Sequence, residues 1–301
     1  MKYNRFGRTG LQVSEIGYGG IVSTMGDYGE YHFAGDAQEA SDSYVEYALG
    51  HGVNYFDVAP AYGDAQEKLG NSLKGKRKEI ILACKTLKRS YDEAAREFER
   101  SLNLLHTDYF DIYQLHSIMT EDDVEEAFAK DGVMKLLFSM KEQGVIKNIG
   151  ITGHGEAACL MALDRYDYDS ILFPINWQMN MGFGYGSKVI EKAKERDMGL
   201  ICMKSMIERA FLEQDEAARQ KYPKSWCKPF DTEQQAELLL AAMKYSVSLG
   251  IDILLPAGDI DHFRFAIEHE EEIKTNPFNE EDRRLLENHL QKVISYPFME
   301  A

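Results

Sequence analysis

Residues 52–70 read GVNYFDVAPAYGDAQEKLG, and this stretch contains one strand, one loop and the start of one helix. The run NYFDVA is apolar and rich in aromatic residues, and it is too short for an independent helix. Asp57 lies near its end, Tyr62 follows in the loop APAYG, and a helical pattern begins at residue 65. The stretch therefore predicts a βα unit with a carboxylate at the strand end and a phenol in the loop.

The same βα unit recurs along nearly the whole chain. Apolar runs begin near residues 15, 54, 79, 108, 148, 170, 199 and 251, and several are continuously apolar, as strands buried on both faces are. Helical patterns cover about 37–50, 65–74, 91–105, 122–143, 156–165, 186–196 and 232–249, with Gly144 and Gly250 as stop signals. Eight such units within about 250 residues predict an α/β fold with a single (β/α)8 TIM barrel. A doubly wound open sheet has the same rhythm and is the competing fold.

The two ends of the chain and two long loops complete the predicted architecture. The head KYNRFGRTGLQV predicts a β-hairpin that turns at Gly-Arg-Thr-Gly and plugs the barrel floor, and the acidic C-terminal stretch predicts a helical extension. Residues 22–36 and 206–230 interrupt the rhythm and have the length of loops that carry substrate contacts. No Ser- or Pro-rich linker is visible, so residues 1–301 are expected to form one barrel domain.

Charge and cysteine content exclude several classes of function. The 301 residues include 34 Lys and Arg against 50 Asp and Glu, for a net charge of −16, so nucleic acid is not an expected partner. Four cysteines without a CxxC pair predict neither a disulfide framework nor a zinc site. The amino terminus has no apolar signal segment, and no run approaches the roughly 18 apolar residues that span a membrane. We expect a soluble, cytoplasmic protein without a membrane partner.

Ionisable residues at consecutive strand ends are the main indication of a site. Asp57, Lys85 and His116 lie at the ends of the second, third and fourth predicted strands, and Tyr62 follows in the adjacent loop. Each residue alone has an ordinary structural explanation, as a helix cap, a strand-end lysine, a core histidine or a loop aromatic. The carboxyl ends of barrel strands form the catalytic face, so the four residues together predict an active site.

These segments also resemble a known family. GVNYFDVAPAYGDAQEKLG resembles the aldo-keto reductase signature, and ACK at 83–85, YQLH at 113–116 and NIGITGH at 148–154 are similar to further segments of that family in the same order. The resemblance runs from the amino-terminal hairpin to the eighth strand. It implies a (β/α)8 barrel that reduces carbonyl compounds with a nicotinamide cofactor and without a metal.

In that chemistry a carbonyl receives a hydride on its carbon and a proton on its oxygen. Tyr62 is expected to supply the proton, and the Lys85 ammonium beside it to lower the phenol pKa from its usual value of about 10. Asp57 would keep Lys85 charged and oriented. His116 would donate a hydrogen bond to the carbonyl oxygen and orient the substrate.

The expected nicotinamide site also follows from the resemblance. No GxGxxG occurs at a strand-to-helix turn, so a Rossmann site has no support. The resemblance implies that Thr152 and Asn176 hold the nicotinamide carboxamide, although Gly153 replaces a common Asn of this cluster. Met203 stands where many members stack an aromatic ring on the nicotinamide, and a thioether can pack there as well.

The adenosine end departs from the family pattern. After the eighth strand the chain reads LLPAGDIDHFRF over 254–265, with Ala-Gly in place of a common Lys-Ser. Lys204 and Arg264 are the candidate cations for the cofactor phosphates. Asp259 and Asp261 would repel a 2′-phosphate and suit a free ribose hydroxyl, or they simply begin the eighth helix. The family habit favours NADP, and NAD stays possible.

The main hypothesis is an NAD(P)H-dependent aldo-keto reductase acting on a small carbonyl or alcohol substrate, such as an aldehyde, a ketone or a sugar. Two other classes stay open: a barrel aldolase that uses Lys85 as a Schiff-base nucleophile, and a non-catalytic nicotinamide-binding regulatory subunit. The oligomeric state and the substrate are not readable from the sequence. Four residues of the two long loops are candidate substrate contacts: Tyr28, Tyr31, His32 and Trp226.

Overall fold

Strands that begin at the predicted positions build the centre of the molecule. The computed structural model describes residues 1–23, 38–295 and 297–298, together with the backbone of 26–28 and 31–33. In chain order the strands are β1 (Tyr3–Arg5), β2 (Gln12–Ser14), β3 (Tyr18–Gly19), β4 (Gly26–Tyr28), β5 (Tyr31–Phe33), β6 (Tyr55–Asp57), β7 (Ile81–Thr86), β8 (Phe110–Ile118), β9 (Ile146–Gly153), β10 (Ser170–Pro174), β11 (Gly199–Met203), β12 (Ile207–Arg209), β13 (Lys228–Pro229) and β14 (Ile253–Leu254).

Helices follow most of the central strands. They are α1 (Gln38–Gly50), α2 (Ala65–Ser72), α3 (Tyr91–Leu104), α4 (Glu121–Ala127), α5 (Val133–Glu142), α6 (Glu156–Arg165), α7 (Trp177–Phe183), α8 (Ser187–Glu195), α9 (Glu216–Lys221), α10 (Ala236–Ser248), α11 (Ile260–Glu268), α12 (Glu270–Thr275) and α13 (Glu280–Val293). None of these helices is long and apolar enough to cross a membrane. The described residues also contain no group of three or more His, Cys, Asp or Glu side chains that could hold a metal ion.

The central sheet closes on itself. Its strands follow the order β3-β6-β7-β8-β9-β10-β11-β14, and each neighbouring pair is parallel. A bridge from Ile16 to Leu254 joins the first and last strands, because Leu254 N–H donates to the Glu15 carbonyl at 2.8 Å and Gly17 N–H donates to the Leu254 carbonyl at 3.0 Å. An open sheet would leave these two edges apart. The predicted (β/α)8 barrel is therefore confirmed, and the competing open sheet is wrong.

The amino-terminal hairpin closes the barrel floor. Strands β1 and β2 pair antiparallel around the predicted Gly-Arg-Thr-Gly turn. Phe6 and Val13 are fully buried and pack against the inward residues Tyr55 and Ile201 at the bottom of the barrel. The Phe6 ring needs a glycine opposite it, since a Cβ atom on Gly199 would lie 2.4 Å from the ring. The hairpin thus plugs one end of the barrel, and the other end stays available for a site.

The helices match their predicted ranges with three differences, one of which is the short helix α9 inside the loop predicted over 206–230. The pattern over 122–143 predicted one helix, but α4 and α5 are separated at Gly132, where a Cβ atom would lie 2.3 Å from the Ala127 carbonyl oxygen. The short helix α7 lies partly in a run that was predicted as strand, because the Asn176 side chain caps its N-terminus. Gly144 and Gly250 follow the ends of α5 and α10 with φ angles of +76° and +77°, as their stop signals predicted.

Candidate active site

Three of the predicted catalytic residues lie on the inner face of neighbouring strands. Asp57 ends β6, Lys85 lies near the end of β7, and His116 lies near the end of β8. Strand residues alternate between the inside and the outside of the barrel, so Asp57 and Lys85 continue the inward columns of Tyr55 and Ala83. All three catalytic candidates are buried, with 2%, 0% and 6% of their surface exposed.

A buried ion pair joins the first two of these strands. The Lys85 ammonium contacts Oδ1 of Asp57, and Nε2 of Gln114 donates a hydrogen bond of 2.9 Å to the other carboxylate oxygen. Burial by itself lowers the pKa of Lys85, but the charge of Asp57 and the Tyr62 side chain outweigh it and hold that pKa above its ordinary value. Lys85 is therefore a buried, positively charged group at the carboxyl ends of the barrel strands.

Gln114 is a site residue that the sequence analysis did not identify. It lies two residues before His116, so strand alternation places both side chains on the inner face of β8. The segment YQLH carried this signal, but a glutamine with a paired amide is also an ordinary core residue. The fold is needed to show that its partner is the carboxylate of a strand two places away.

Tyr62 and His116 face one another next to the ion pair. Their rings meet edge to face with centroids 5.9 Å apart, and Lys85 Nζ lies 5.0 Å from the centre of the Tyr62 ring. Burial, and then the charge of Lys85, lower the pKa of His116 well below its ordinary value, so the imidazole is neutral at neutral pH. A neutral imidazole keeps one N–H donor. The arrangement offers a phenol and an imidazole N–H on the same side of the mouth.

A pocket opens from Asp57 and Tyr62 across the barrel mouth. Its volume is about 120 Å³. Residues from the end of β11, from the long loop before α10 and from the segment after β14 line it: Met203, Lys204, Ile207, Lys224, Ser225, Trp226, Cys227, Leu255, Pro256, Ala257 and Gly258. Two of the predicted cofactor residues, Met203 and Lys204, therefore line the same pocket as Asp57 and Tyr62.

Two lysines bring positive charge to this pocket in a chain of net charge −16. Lys204 has a backbone φ of +65°, and its Nζ lies 5.2 Å from the centre of the Phe298 ring. Burial lowers the pKa of Lys204 from its ordinary value. Lys224 Nζ donates to the Val22 carbonyl at 2.6 Å and ties the long loop to the segment after β3. The sequence analysis missed Lys224, because no local pattern shows that residue 224 returns to the mouth.

The two residues predicted to hold a carboxamide both make hydrogen bonds within the protein. Thr152 Oγ1 accepts from the Ser117 N–H at 2.9 Å, which leaves its own hydroxyl proton to donate elsewhere. Asn176 is fully buried, caps α7 with its side-chain oxygen and donates to the carbonyls of Lys204 and Ile207 at 2.9 and 2.8 Å. Asn176 thus holds the backbone around Lys204 rather than lining the pocket.

The remaining candidates lie in different places. Arg264 is exposed on α11, and its guanidinium lies 5.8 Å from the centre of the Tyr47 ring, so it is not part of the pocket lining. Trp226 lines the pocket itself. The side chains of the other predicted substrate contacts lie outside the described residues: Tyr28, Tyr31 and His32.

Comparison with known proteins places the chain in a family. The model of the aldo/keto reductase family matches residues 15–253. D-arabinose 1-dehydrogenase of Saccharomyces cerevisiae is 26% identical over 287 residues, covering 83% of this chain and 82% of that protein. Aldo-keto reductase YhdN of Bacillus subtilis is 34% identical over 168 residues, covering 50% of this chain and 47% of that protein. An aldo-keto reductase from Klebsiella pneumoniae in complex with NADPH has the same fold, with a TM-score of 0.67 and 19% identity over 100% of this chain and 96% of that one.

The protein belongs to the aldo/keto reductase family and is an NAD(P)H-dependent oxidoreductase. The family match confirms the resemblance that the strand-end residues indicated.

Proposed function

We propose that this protein transfers a hydride between a nicotinamide cofactor and a small carbonyl or alcohol substrate, with Tyr62 as the general acid and base. The observation that carries this proposal is the position of the Lys85 ammonium, which is paired with Asp57 and lies beside the Tyr62 ring. A cation next to a phenol favours the phenolate and makes the hydroxyl a stronger acid. The ion pair also keeps Lys85 protonated, which argues against a Schiff-base aldolase that needs a neutral amine.

Each catalytic side chain has one role in this proposal. When bound, the nicotinamide supplies or accepts the hydride. Tyr62 gives its hydroxyl proton to the oxygen of the carbonyl as that oxygen gains negative charge, and it takes the proton back when an alcohol is oxidised. His116 donates an N–H hydrogen bond to the same oxygen and orients it. Lys85 stabilises the Tyr62 phenolate until it takes up a proton again, from water after a reduction or from the alcohol in an oxidation.

We propose that the mouth pocket holds the nicotinamide end of the cofactor. Met203 and Lys204 line this pocket, and we propose that Met203 packs against the nicotinamide ring and that Lys204 faces a phosphate. Thr152 is not part of the lining; we propose that its hydroxyl, which accepts from the Ser117 N–H, donates its proton to the carboxamide. Asn176 contributes by holding the carbonyl of Lys204 in place. Arg264 lies on α11, outside this lining. It would hold the adenosine phosphate only if that end of the cofactor extends beyond the pocket to α11.

NADP(H) is the cofactor that we propose, and NAD(H) is the alternative. The Klebsiella relative contains NADPH, and the two lysines of the pocket favour a ligand with more negative charge. Dissociation constants for NADPH and NADH, measured by quenching of protein fluorescence, decide between them. We expect NADPH to bind more tightly, and a smaller constant for NADH would overturn the choice.

The substrate belongs to the small carbonyl and alcohol compounds. One relative is named for the oxidation of D-arabinose, so sugars belong in the test beside simple aldehydes and ketones. We propose the cytoplasm as the compartment, because all four cysteines are free and buried and suit reducing conditions. Change in the absorbance of reduced nicotinamide with a panel of carbonyl compounds, and with sugars in the oxidative direction, tests the activity directly.

The first variant to make is Tyr62→Phe. Removal of the hydroxyl removes the proton donor but keeps the ring, so we expect turnover to fall by roughly 10²–10⁴-fold. The dissociation constant of the cofactor is expected to stay within about twofold, because the ring and the pocket are retained. Turnover equal to that of the unmodified protein would exclude Tyr62 as the general acid.

A further inference from the structure

The Asp57 carboxylate has a partner that the four catalytic candidates do not include. Lys85 holds Oδ1, and the Gln114 amide donates to Oδ2 at 2.9 Å. Gln114 is fully buried on β8, and the register pairs it with Lys85 on one side and with Gly150 on the other. The amide therefore lies inside the barrel, next to the ion pair, and reaches across one strand to contact the carboxylate.

The neighbouring strands are shaped to admit this amide. Gly150 faces the inside of the barrel, and a Cβ atom there would lie 3.0 Å from Gln114 Cγ and 2.6 Å from Ser170 Oγ. A larger residue at position 150 would clash with Ser170 and crowd the Gln114 side chain. The Gln114 side chain from β8 thus occupies space next to Gly150 of β9 that a side chain at position 150 would need.

The amide of Gln114 carries an energetic cost, which indicates that its N–H group is retained for the bond to Asp57. Gln114 Oε1 is buried and has no hydrogen-bond partner within the described part of the chain. A buried amide oxygen without a partner destabilises a protein, and an apolar side chain of the same size would avoid that cost. Below the ion pair the barrel interior is filled mainly by aliphatic and aromatic residues, with Ser170 as a further buried polar residue next to Gly150. The gain that offsets the cost is the bond from Nε2 to Asp57.

We infer that Gln114 is a positioning residue for the Asp57–Lys85 pair. An amide N–H can only donate, so it favours the charged carboxylate and fixes the direction in which Oδ1 points. Oδ1 in turn holds the Lys85 ammonium beside the Tyr62 ring. Gln114 is not part of the pocket lining, and its effect reaches the reaction through Asp57. This inference rests on the proposed roles of Tyr62 and Lys85.

Two substitutions separate this role from a structural one. Gln114→Met keeps the size of the side chain and removes the donor, and we expect turnover to fall by roughly tenfold with little change in substrate KM or cofactor affinity. Gln114→Glu places a second carboxyl group against Asp57. We expect it to be poorly active at neutral pH and to recover as the pH falls, because the introduced carboxyl group becomes a donor once it is protonated.

Gln66→Met is the matched control. Gln66 is also buried, and its Nε2 donates to Ser101 Oγ at 2.9 Å and to Cys84 Sγ at 3.4 Å, on the face of β7 opposite to Lys85. The same chemical change is made there, so any general cost of losing a buried amide appears in both variants. We expect Gln66→Met to lose stability while turnover and its pH profile stay as in the unmodified protein.

A readout without turnover keeps the inference independent of the proposed function. The Tyr62 phenol titrates in the ultraviolet difference spectrum between the unmodified protein and Tyr62→Phe, and the same difference can be taken in the Gln114→Met background. We expect the Tyr62 pKa to rise in that background, because the ammonium is held less firmly beside the phenol. An unchanged Tyr62 titration would overturn the positioning role. Failure of the unmodified protein to reduce any carbonyl would instead overturn the proposed function.

Discussion

At the scale of the residue, the buried Asp57–Lys85 pair makes the site most sensitive to single substitutions. Lys85→Met leaves the Asp57 carboxylate buried, with the Gln114 amide as its remaining hydrogen-bond donor among the side chains described above. Loss of one member of a buried pair typically costs about 3–5 kcal/mol, so we expect the free energy of unfolding to fall by about that amount and turnover to disappear. Urea denaturation at neutral pH measures the first effect.

The double variant Asp57→Asn/Lys85→Met is the control for that prediction. It removes both charges, so it should recover much of the stability and none of the activity. A Lys85→Met protein as stable as the unmodified one would mean that the pair is accessible to water.

His116 gives a prediction about pH. Burial and the Lys85 charge lower the pKa of His116 well below its ordinary value, so the imidazole is already neutral near pH 6.5 and does not change charge there. We expect kcat/KM to show no titration in the region where histidine usually ionises, about pH 6–7. A step in that range that disappears in His116→Gln would show that the imidazole is charged in the working enzyme.

At the scale of the element, the pairing of β12 with β13 fixes one wall of the pocket. Glu208 on β12 is buried; it contacts Lys228 on β13 and accepts from His289 Nε2 of α13 at 2.7 Å and from Gln235 Nε2 at 2.9 Å. Burial by itself raises the pKa of Glu208, but the His289 and Lys228 partners outweigh it and lower that pKa to about 2. The carboxylate therefore joins the loop to the C-terminal helix across the working pH range.

Glu208→Ala should loosen this wall. The variant leaves Lys228 and His289 without their shared acceptor, while Ile207, the next residue along β12, lines the pocket. We expect a lower melting temperature and a dissociation constant for NADPH that is raised by about tenfold, because the conformation that binds the cofactor is less populated in the free protein. The kcat at saturating cofactor should stay nearly unchanged. Differential scanning calorimetry and fluorescence titration measure the two effects.

Glu216→Ala provides the comparison in the same loop. Glu216 is exposed on α9 and accepts only from Gln220 at 3.0 Å among the hydrogen bonds of the described residues. It should leave both quantities unchanged. Equal effects of the two substitutions would show that Glu208 has no special part in holding the loop.

At the scale of the whole molecule, one carboxyl group at the barrel floor makes the stability of the protein depend on pH. Burial, and then the charge of Asp197, raise the pKa of Asp252 from 3.8 to about 6, although its Oδ2 accepts from the Leu200 N–H at 2.9 Å. A raised pKa means that the folded state holds this proton more tightly than the unfolded chain does. The contribution of Asp252 to stability is therefore full below about pH 4 and is lost as the pH rises through about 6.

Asp252→Asn tests this effect. The amide keeps an oxygen that can accept from Leu200, but it cannot ionise. We expect the variant to melt at a higher temperature than the unmodified protein at pH 7, and the difference to shrink towards pH 4. A constant difference across that range would assign the change to packing rather than to the proton.

The order of strands and helices could be predicted from the sequence because its signals are local. Each barrel strand is a short apolar run, and glycines with positive φ end α5 and α10 where the pattern predicted. The one helix predicted over 122–143 was wrong for a reason that is not local, since Gly132 bridges to Ser90 and the Val133 N–H donates to the Arg89 carbonyl at 2.7 Å. Alternation along a strand also suffices to predict that Lys85 and His116 face inwards.

By itself, the sequence determined the barrel, the family and the strand ends at which Asp57, Lys85 and His116 lie, because periodicity and strand order depend on neighbours along the chain. The tertiary structure decided which groups are partners. Gln114 and Asp57 are 57 residues apart, and His289 and Glu208 are 81 residues apart, yet each pair shares a hydrogen bond. Such contacts form when the barrel closes and its loops return to the mouth. Local sequence patterns cannot predict them, because the partners are far apart along the chain.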